Sequence, residues 1–221
     1  MKKKIISLLL MSSSHFYLSQ MTYAGGELIL GLPTIKLSAS SSTDEPFGIA
    51  TTASQGTISQ EQIQTRPLSR PGEVLETIPG VIVTQHSGTG KANQFFLRGF
   101  NLDHGTDFAT SVDGMAVNAR SHGHGQGYTD LNFLIPELLG QLNYQKGPAQ
   151  AQAGDFASAG SADLLLRDQA RSQLGITVGA FGYRRLLGIS SQKIGQGQWL
   201  NALEAQHYDG PWQGLQEQVE K

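Results

Sequence analysis

The sequence predicts an α+β fold: a small mixed α/β domain followed by a run of antiparallel strands. Three observations carry this. Short apolar segments alternate with Gly- and Pro-bearing turns over roughly residues 56–168. Hydrophobic residues make up only 38% of the chain and charged ones 15%, with 27 glycines among 221 residues. Such a composition suits turns and wet β-structure better than a helical bundle. After Asp168 the apolar pattern changes to a period of two.

The chain opens with Lys2, Lys3 and Lys4, then an apolar run from Ile5 to Met11, then Met21-Thr22-Tyr23-Ala24. The run is too short to span a bilayer as a helix, and the small residues at Thr22 and Ala24 fit a signal-peptidase site. Residues 1–24 therefore read as a signal peptide cleaved before Gly25. The mature chain carries 13 basic and 18 acidic residues, net −5, which disfavours nucleic acid as a partner. The absence of cysteine argues against a disulfide framework or a thiolate metal site. No other segment approaches the length of a transmembrane helix, so the exported protein is expected to be periplasmic, secreted or in the outer membrane. No Walker loop, zinc-finger spacing, nucleophile elbow or paired-carboxylate constellation stands out, so no enzyme activity is read from the sequence.

Residues 25–55 lack a steady period and contain the Ser-rich stretch Ser38 to Thr43, which reads as a flexible tether. Just ahead of it, Leu32 to Ala39 is β-prone and suited to adding as a strand to another protein's sheet edge. Ser59 is a plausible helix N-cap, with Gln62 placed for a capping box. Glu73 to Ile78 reads as a second helix with Val74, Leu75 and Ile78 on one face, stopped by Pro79-Gly80. Strands follow at Val81–Thr84, Gln94–Gly99 and Phe108–Val112, the last closed by the turn pair Asp113-Gly114. Leu131 to Leu139 has helix-like spacing interrupted by Pro136, and Leu142–Lys146 is a fourth strand ended by Gly147-Pro148.

Beyond Asp168, Leu174, Ile176, Val178 and Ala180 alternate with small or polar residues. A second strand runs through Arg185–Ser190, a hairpin turn is read at Gly195-Gln196-Gly197, and a third strand spans Trp199–Tyr208. Tyr183, Trp199 and Tyr208 suit an interfacial aromatic girdle, while the alternation alone also fits a soluble meander.

Four segments together resemble the plug domain of TonB-dependent outer-membrane receptors. Glu73 to Val81, containing Ile78-Pro79-Gly80-Val81, is similar to the family's "L…IPGV" run. Phe96-Leu97-Arg98-Gly99-Phe100 is similar to its "IRG" strand, Val112-Asp113-Gly114-Met115-Ala116-Val117 to its "DGVPV" turn, and Asn143-Tyr144-Gln145-Lys146-Gly147-Pro148 to its "EVVRGP" strand end. The resemblance covers most of residues 57–168. It implies a signal peptide (1–24), a flexible segment with the TonB box (25–55), a plug (56–168) and the first antiparallel strands of an outer-membrane β-barrel (169–221). The TonB box is placed at Thr34, Ile35, Lys36, Leu37 and Ser38, with Pro33 where the family carries an acid and Lys36 where it carries a valine. Pro79, Gly80, Arg98, Gly99, Asp113, Gly114, Gly147 and Pro148 are the plug's structural motif residues, and Arg98 is expected to be buried and paired at the plug–barrel contact. A barrel of about 22 strands needs several hundred residues more than follow Asp168, so the chain is expected to be a fragment of a longer receptor or unable to transport alone.

The implied function is energy-coupled import of a scarce nutrient, with a ferric siderophore as the first expectation, the TonB protein and the outer membrane as partners, and no tightly bound cofactor. A secreted or periplasmic α/β binding domain without a barrel is the alternative. A further alternative is import of a zinc or copper ion. His86, His104, His122 and His124 cluster within the plug region, with Asp103, Asp107 and Asp130 nearby, and imidazole with carboxylate suits Zn²⁺, Cu²⁺ or Ni²⁺.

Overall fold

In a computed structural model, the structure describes residues 49–86, 90–210 and 217–220. The signal peptide and the TonB-box segment lie outside these residues. Among the described residues, the N-terminal elements are β1 (Ile49–Thr52), β2 (Gln55–Ser59), α1 (Gln60–Gln64), a 3-10 helix (Pro71–Thr77), β3 (Val81–Thr84), β4 (Gln94–Leu97), β5 (Phe100–Asn101), β6 (Phe108–Val112) and β7 (Met115–Ala116). A 3-10 turn at Pro136–Leu138, β8 (Leu139–Lys146), a 3-10 turn at Ala151–Ala153 and β9 (Gly160–Leu166) follow. The last strands are β10 (Gln173–Val178), β11 (Arg184–Ile194), β12 (Gly197–Tyr208) and β13 (Glu217–Glu220).

The strands form three sheets. One runs β1-β2-β8-β9-β6-β7, a second β3-β4-β5, and a third β10-β11-β12-β13. The pairing of β6 with β9 is parallel, while β8 pairs antiparallel with both β2 and β9. β9 was not anticipated from the sequence, because Gly160–Leu166 follows a loop rather than a turn pair and carries Ser161 and Asp163 within its apolar run.

Local chemistry explains the helical segments. Ser59 caps α1 by accepting the Gln62 N–H at 3.3 Å. The reciprocal half of the capping box is not made: Gln62 Oε1 is buried with no hydrogen-bond partner. The expected second helix is a 3-10 helix over Pro71–Thr77. Pro71 starts it, and Glu73 Oε2 accepts the N–H groups of Ser69 and Arg70 at 2.8 and 3.1 Å. Its expected face is correct, since Val74, Leu75 and Ile78 are all buried. Leu131–Leu139 forms no continuous helix. Pro136 lacks an N–H and restricts Ile135 to an extended conformation, so only Pro136–Leu138 winds, while Leu131, Leu134 and Ile135 still face inward.

The core of this part joins Ile63, Leu75 and Ile78 from the helical turns to Phe95, Leu102, Phe108, Leu142 and Leu164 from the sheets. Each such side chain removed from water contributes about 1.5–3 kcal/mol. The motif residues sit at the joints around that core. Pro79-Gly80 leads from the 3-10 helix into β3, where the Gly80 carbonyl accepts the Arg98 N–H at 2.7 Å. Arg98-Gly99 turns β4 into β5, and Asp113-Gly114 turns β6 into β7. Asp113 Oδ1 also accepts the Leu166 N–H at 2.9 Å, tying the turn to β9. Gly147-Pro148 ends β8, with the Gly147 N–H donated to the Ala159 carbonyl at 2.6 Å.

Arg98 lies at the joint between two strands. It occupies the turn with a φ of +52° and is exposed, donating from Nη2 to the Ala53 carbonyl at 3.3 Å.

The third sheet has two unlike faces. Leu174, Ile176, Val178, Leu186, Trp199 and Leu203 are exposed on one side. Leu187 and Ile189 are buried on the other, against Ile135 and Leu138. Large apolar groups outward and a packed face inward is the pattern of strands whose outer side faces lipid. Tyr183 and Tyr208 do not join Trp199 there. Their rings pair at 6.0 Å and line the inner cavity described below.

Candidate functional site

Two loops meet to bring the histidines together. The first is a tight turn after β5, in which the Leu102 carbonyl accepts the N–H of Gly105 at 2.9 Å and of Thr106 at 3.0 Å. Asp103 within it takes a φ of +51°, its N–H bonded to Asn101 Oδ1 at 2.8 Å. The second loop runs from Ala119 to Tyr128, closed by the Ala119 N–H donated to the Tyr128 carbonyl at 2.9 Å. The Thr129 N–H, donated to the His104 carbonyl at 2.7 Å, joins the two.

Close approach is possible because of two glycines. A Cβ on Gly105 would lie 2.3 Å from Thr129 Oγ1, and one on Gly127 2.8 Å from the Thr106 Cα. Both also have positive φ, where a side chain is strained. Asn118 fastens the junction from beneath. Its Nδ2 donates to the carbonyls of Gly105, Phe108 and Gly127 at 2.9, 3.0 and 3.1 Å, and its Oδ1 accepts the Thr110 N–H at 2.6 Å.

His104 lies at the centre and is only 3% exposed. Its Nδ1 is 2.9 Å from the Asn93 carbonyl, which can only accept, so Nδ1 carries the proton and Nε2 keeps the lone pair in the neutral ring. Nε2 lies 3.8 Å from Asp103 Oδ1. His124 packs edge-on against His104 with ring centres 4.5 Å apart, and His86 approaches from the other side at 5.1 Å. His86 Nε2 accepts from the Lys91 ammonium at 3.1 Å. The His124 imidazole is held below its ordinary pKa, first by loss of water on its packed side and then by the nearby Lys91 charge.

All four predicted histidines therefore belong to one neighbourhood, in different roles. His122 stacks flat on Tyr128, ring centres 3.9 Å apart, and its Nδ1 accepts the His124 N–H at 3.1 Å. Of the three nearby aspartates Asp103 is the one whose carboxylate lies beside the histidine rings. Asp107 accepts from the Ser158 hydroxyl, and Asp130 from the Asn132 N–H at 2.8 Å. Asp103, His104 and His124 are the group whose donor atoms all lie within 4.8 Å of one another. The sequence did not single out Tyr128, which braces both loop histidines and accepts the Ala92 N–H on its hydroxyl at 2.7 Å. Nothing in the spacing distinguishes that tyrosine from a loop residue.

A second constellation joins the α/β part to the third sheet. Arg185 Nη1 and Nη2 reach Glu137 Oε1 and Oε2 at 2.7 and 2.9 Å, while Nε and Nη2 hold Glu204. Beside it lies a cavity of about 750 Å³ bordered by Ile63, Pro67, Tyr183 and Tyr208. Here the sequence did carry a signal: Arg185 shares its parity with Leu187 and Ile189, so a charge falls on the inward face.

A mixed α/β domain packed against the inner face of lipid-patterned strands defines a plug and the start of its barrel. The family model of the TonB-dependent Receptor Plug Domain matches residues 49–161. The chain belongs to that family. Among solved structures it is similar to a ferric enterobactin receptor of Pseudomonas aeruginosa, with 20% identity, a TM-score of 0.52 and coverage of 71% of this chain and 25% of that one. It is likewise similar to the copper transporter OprC, with 20% identity, a TM-score of 0.54 and 73% against 25% coverage. For the ferric-catecholate import receptor Fiu of E. coli K12 the values are 19%, 0.54 and 77% against 24%. The chain thus spans about a quarter of the length of the receptors it matches.

Proposed function

We propose that this chain is the N-terminal portion of an outer-membrane receptor that imports a scarce nutrient, driven by TonB pulling on a periplasmic segment ahead of the plug. The carrying observation is the plug fold docked on outward-apolar strands, with Arg185 bridging the two parts. An outer bilayer has no ATP, so work must arrive mechanically, and a β-prone segment at Thr34–Ser38 beside a Ser-rich tether suits strand addition to a partner. The cargo is read as a metal carried in chelated form, such as a ferric siderophore. Receptors for ferric enterobactin and ferric catecholates among the structural neighbours support that reading. The cluster of imidazoles in the plug favours a second reading, direct uptake of the ion.

Ile35→Pro in the complete receptor tests the coupling. Pro removes a ladder donor and blocks strand addition. Energy-dependent uptake is expected to vanish while surface binding of cargo persists. Unchanged uptake would place the coupling segment elsewhere.

A further inference from the structure

We infer that Asp103, His104 and His124 form a binding site for one divalent late first-row metal ion, of the Zn²⁺ and Cu²⁺ class. The inference concerns this chain's own ligands, and it rests on the import reading only for the use made of the bound ion.

The donor set is one carboxylate and two imidazoles, which suits such ions and not Ca²⁺ or Mg²⁺, whose ligands are oxygens. His104 is the fixed member. It is buried, and its Nδ1–H on the Asn93 carbonyl sets the ring so that the basic Nε2 faces Asp103. Anchoring a ligand imidazole through its second nitrogen is how metal sites orient their histidines. Asp103 is held in a left-handed conformation, with φ at +51°, by its N–H bond to Asn101 and by the turn around it. Strain of this kind persists where the surroundings impose it, and here it turns the Asp103 carboxylate toward His104.

The spacing is open but close to what is needed. Donors about 2.1 Å from an ion at tetrahedral angles stand roughly 3.4 Å apart. The three donor atoms lie within 4.8 Å of one another, and Asp103 and His124 are both exposed loop residues. These two close about an ångström onto His104. Three protein ligands leave at least one position open, which separates this from a closed structural zinc site and suits an ion that must later leave.

The neighbours have other tasks. His122 has its Nδ1 occupied by the His124 N–H and its face on Tyr128, so it braces His124. His86 is engaged by Lys91 through Nε2. This assignment separates the proposal from a generic histidine-rich surface, where either member of a His-Gly-His pair would serve equally.

The test is calorimetric titration of the full chain in detergent with Zn²⁺, paired with electron paramagnetic resonance of the Cu²⁺ form. His104→Ala would open a cavity in the loop junction, so the exposed ligands are varied instead. Asp103→Asn keeps a residue that tolerates positive φ, and His124→Ala removes an exposed ring. We expect one Zn²⁺ per chain, nitrogen coupling from two imidazoles on Cu²⁺, and at least about a tenfold affinity loss in either variant, equivalent to about 1.4 kcal/mol. His122→Ala removes a brace and no ligand, so it should weaken binding clearly less than His124→Ala does. Circular dichroism should be unchanged in all three. Absence of saturable binding, or equal weakening by His122→Ala and His124→Ala, would overturn the site. Metal binding with no energy-dependent metal uptake by the complete receptor would instead overturn the import reading and leave the site standing.

Discussion

Asn118→Ala is expected to destabilise the plug by about 3 kcal/mol, as much as many core truncations. The side chain is buried and makes four hydrogen bonds to backbone groups. Two of its acceptors keep another donor after truncation: the Gly127 carbonyl has the Thr129 hydroxyl at 3.0 Å, and the Phe108 carbonyl has the Thr110 hydroxyl at 3.4 Å. The cost therefore falls mainly on the Gly105 carbonyl and the Thr110 N–H, each about 1–3 kcal/mol when left buried and unmade. Urea unfolding should show a lower midpoint with an unchanged slope. Amide exchange should rise first at Gly127 and Thr129, whose N–H groups close the two loops. A loss below about 1 kcal/mol would mean that water replaces the amide at this junction. Because the same junction sets His104 beside His124, the variant should also weaken metal binding without touching a ligand.

The sequence revealed the plug better than it revealed the site, for a physical reason. The turns at Arg98-Gly99 and Asp113-Gly114 and the apolar face of Val74, Leu75 and Ile78 are local features, written in adjacent residues. Apolar spacing also places a helix at Glu73–Ile78 and an interruption at Pro136, but it does not report that the turns wind as 3-10 helices over Pro71–Thr77 and Pro136–Leu138. β9 was missed since the loop that leads from β8 into it, residues 147–159, carries no tight-turn signal, and its second partner β6 pairs in parallel from some fifty residues earlier. At the site, the four histidines were visible as residue types. Their different surroundings, with His104 on the Asn93 carbonyl, His122 on Tyr128 and His86 beside Lys91, are contacts that no spacing encodes.

Arg185→Leu should loosen the plug from its first barrel strands by about 3–5 kcal/mol. Arg185 is 17% exposed and joins Glu137, 30% exposed, to Glu204, 2% exposed. Its planar fork satisfies both carboxylates at once, which a lysine cannot reproduce, so Arg185→Lys should recover only part of the loss. Removing the cation leaves two carboxylates side by side, one of them, Glu204, buried. The size of the effect comes from that residue of charge and not from the net worth of the pair. Replacing Arg185, Glu137 and Glu204 together by apolar residues of similar volume should therefore cost far less than Arg185→Leu alone, because no desolvated charge remains. Calorimetry of the complete receptor in detergent resolves the outcome, as the plug transition should move to lower temperature in the single variant and stay near the parent in the triple. If the triple variant were as unstable as the single one, the seam would depend on the ion pairs themselves. The comparison also bears on transport. Among the described residues an ion cluster ties the plug to its first strands beside a cavity of about 750 Å³, and it adds to the plug's resistance to displacement. Arg185→Leu should accordingly lower the pulling force at which the plug yields in single-molecule extension from the N-terminus, while leaving metal affinity at the distant histidines unchanged.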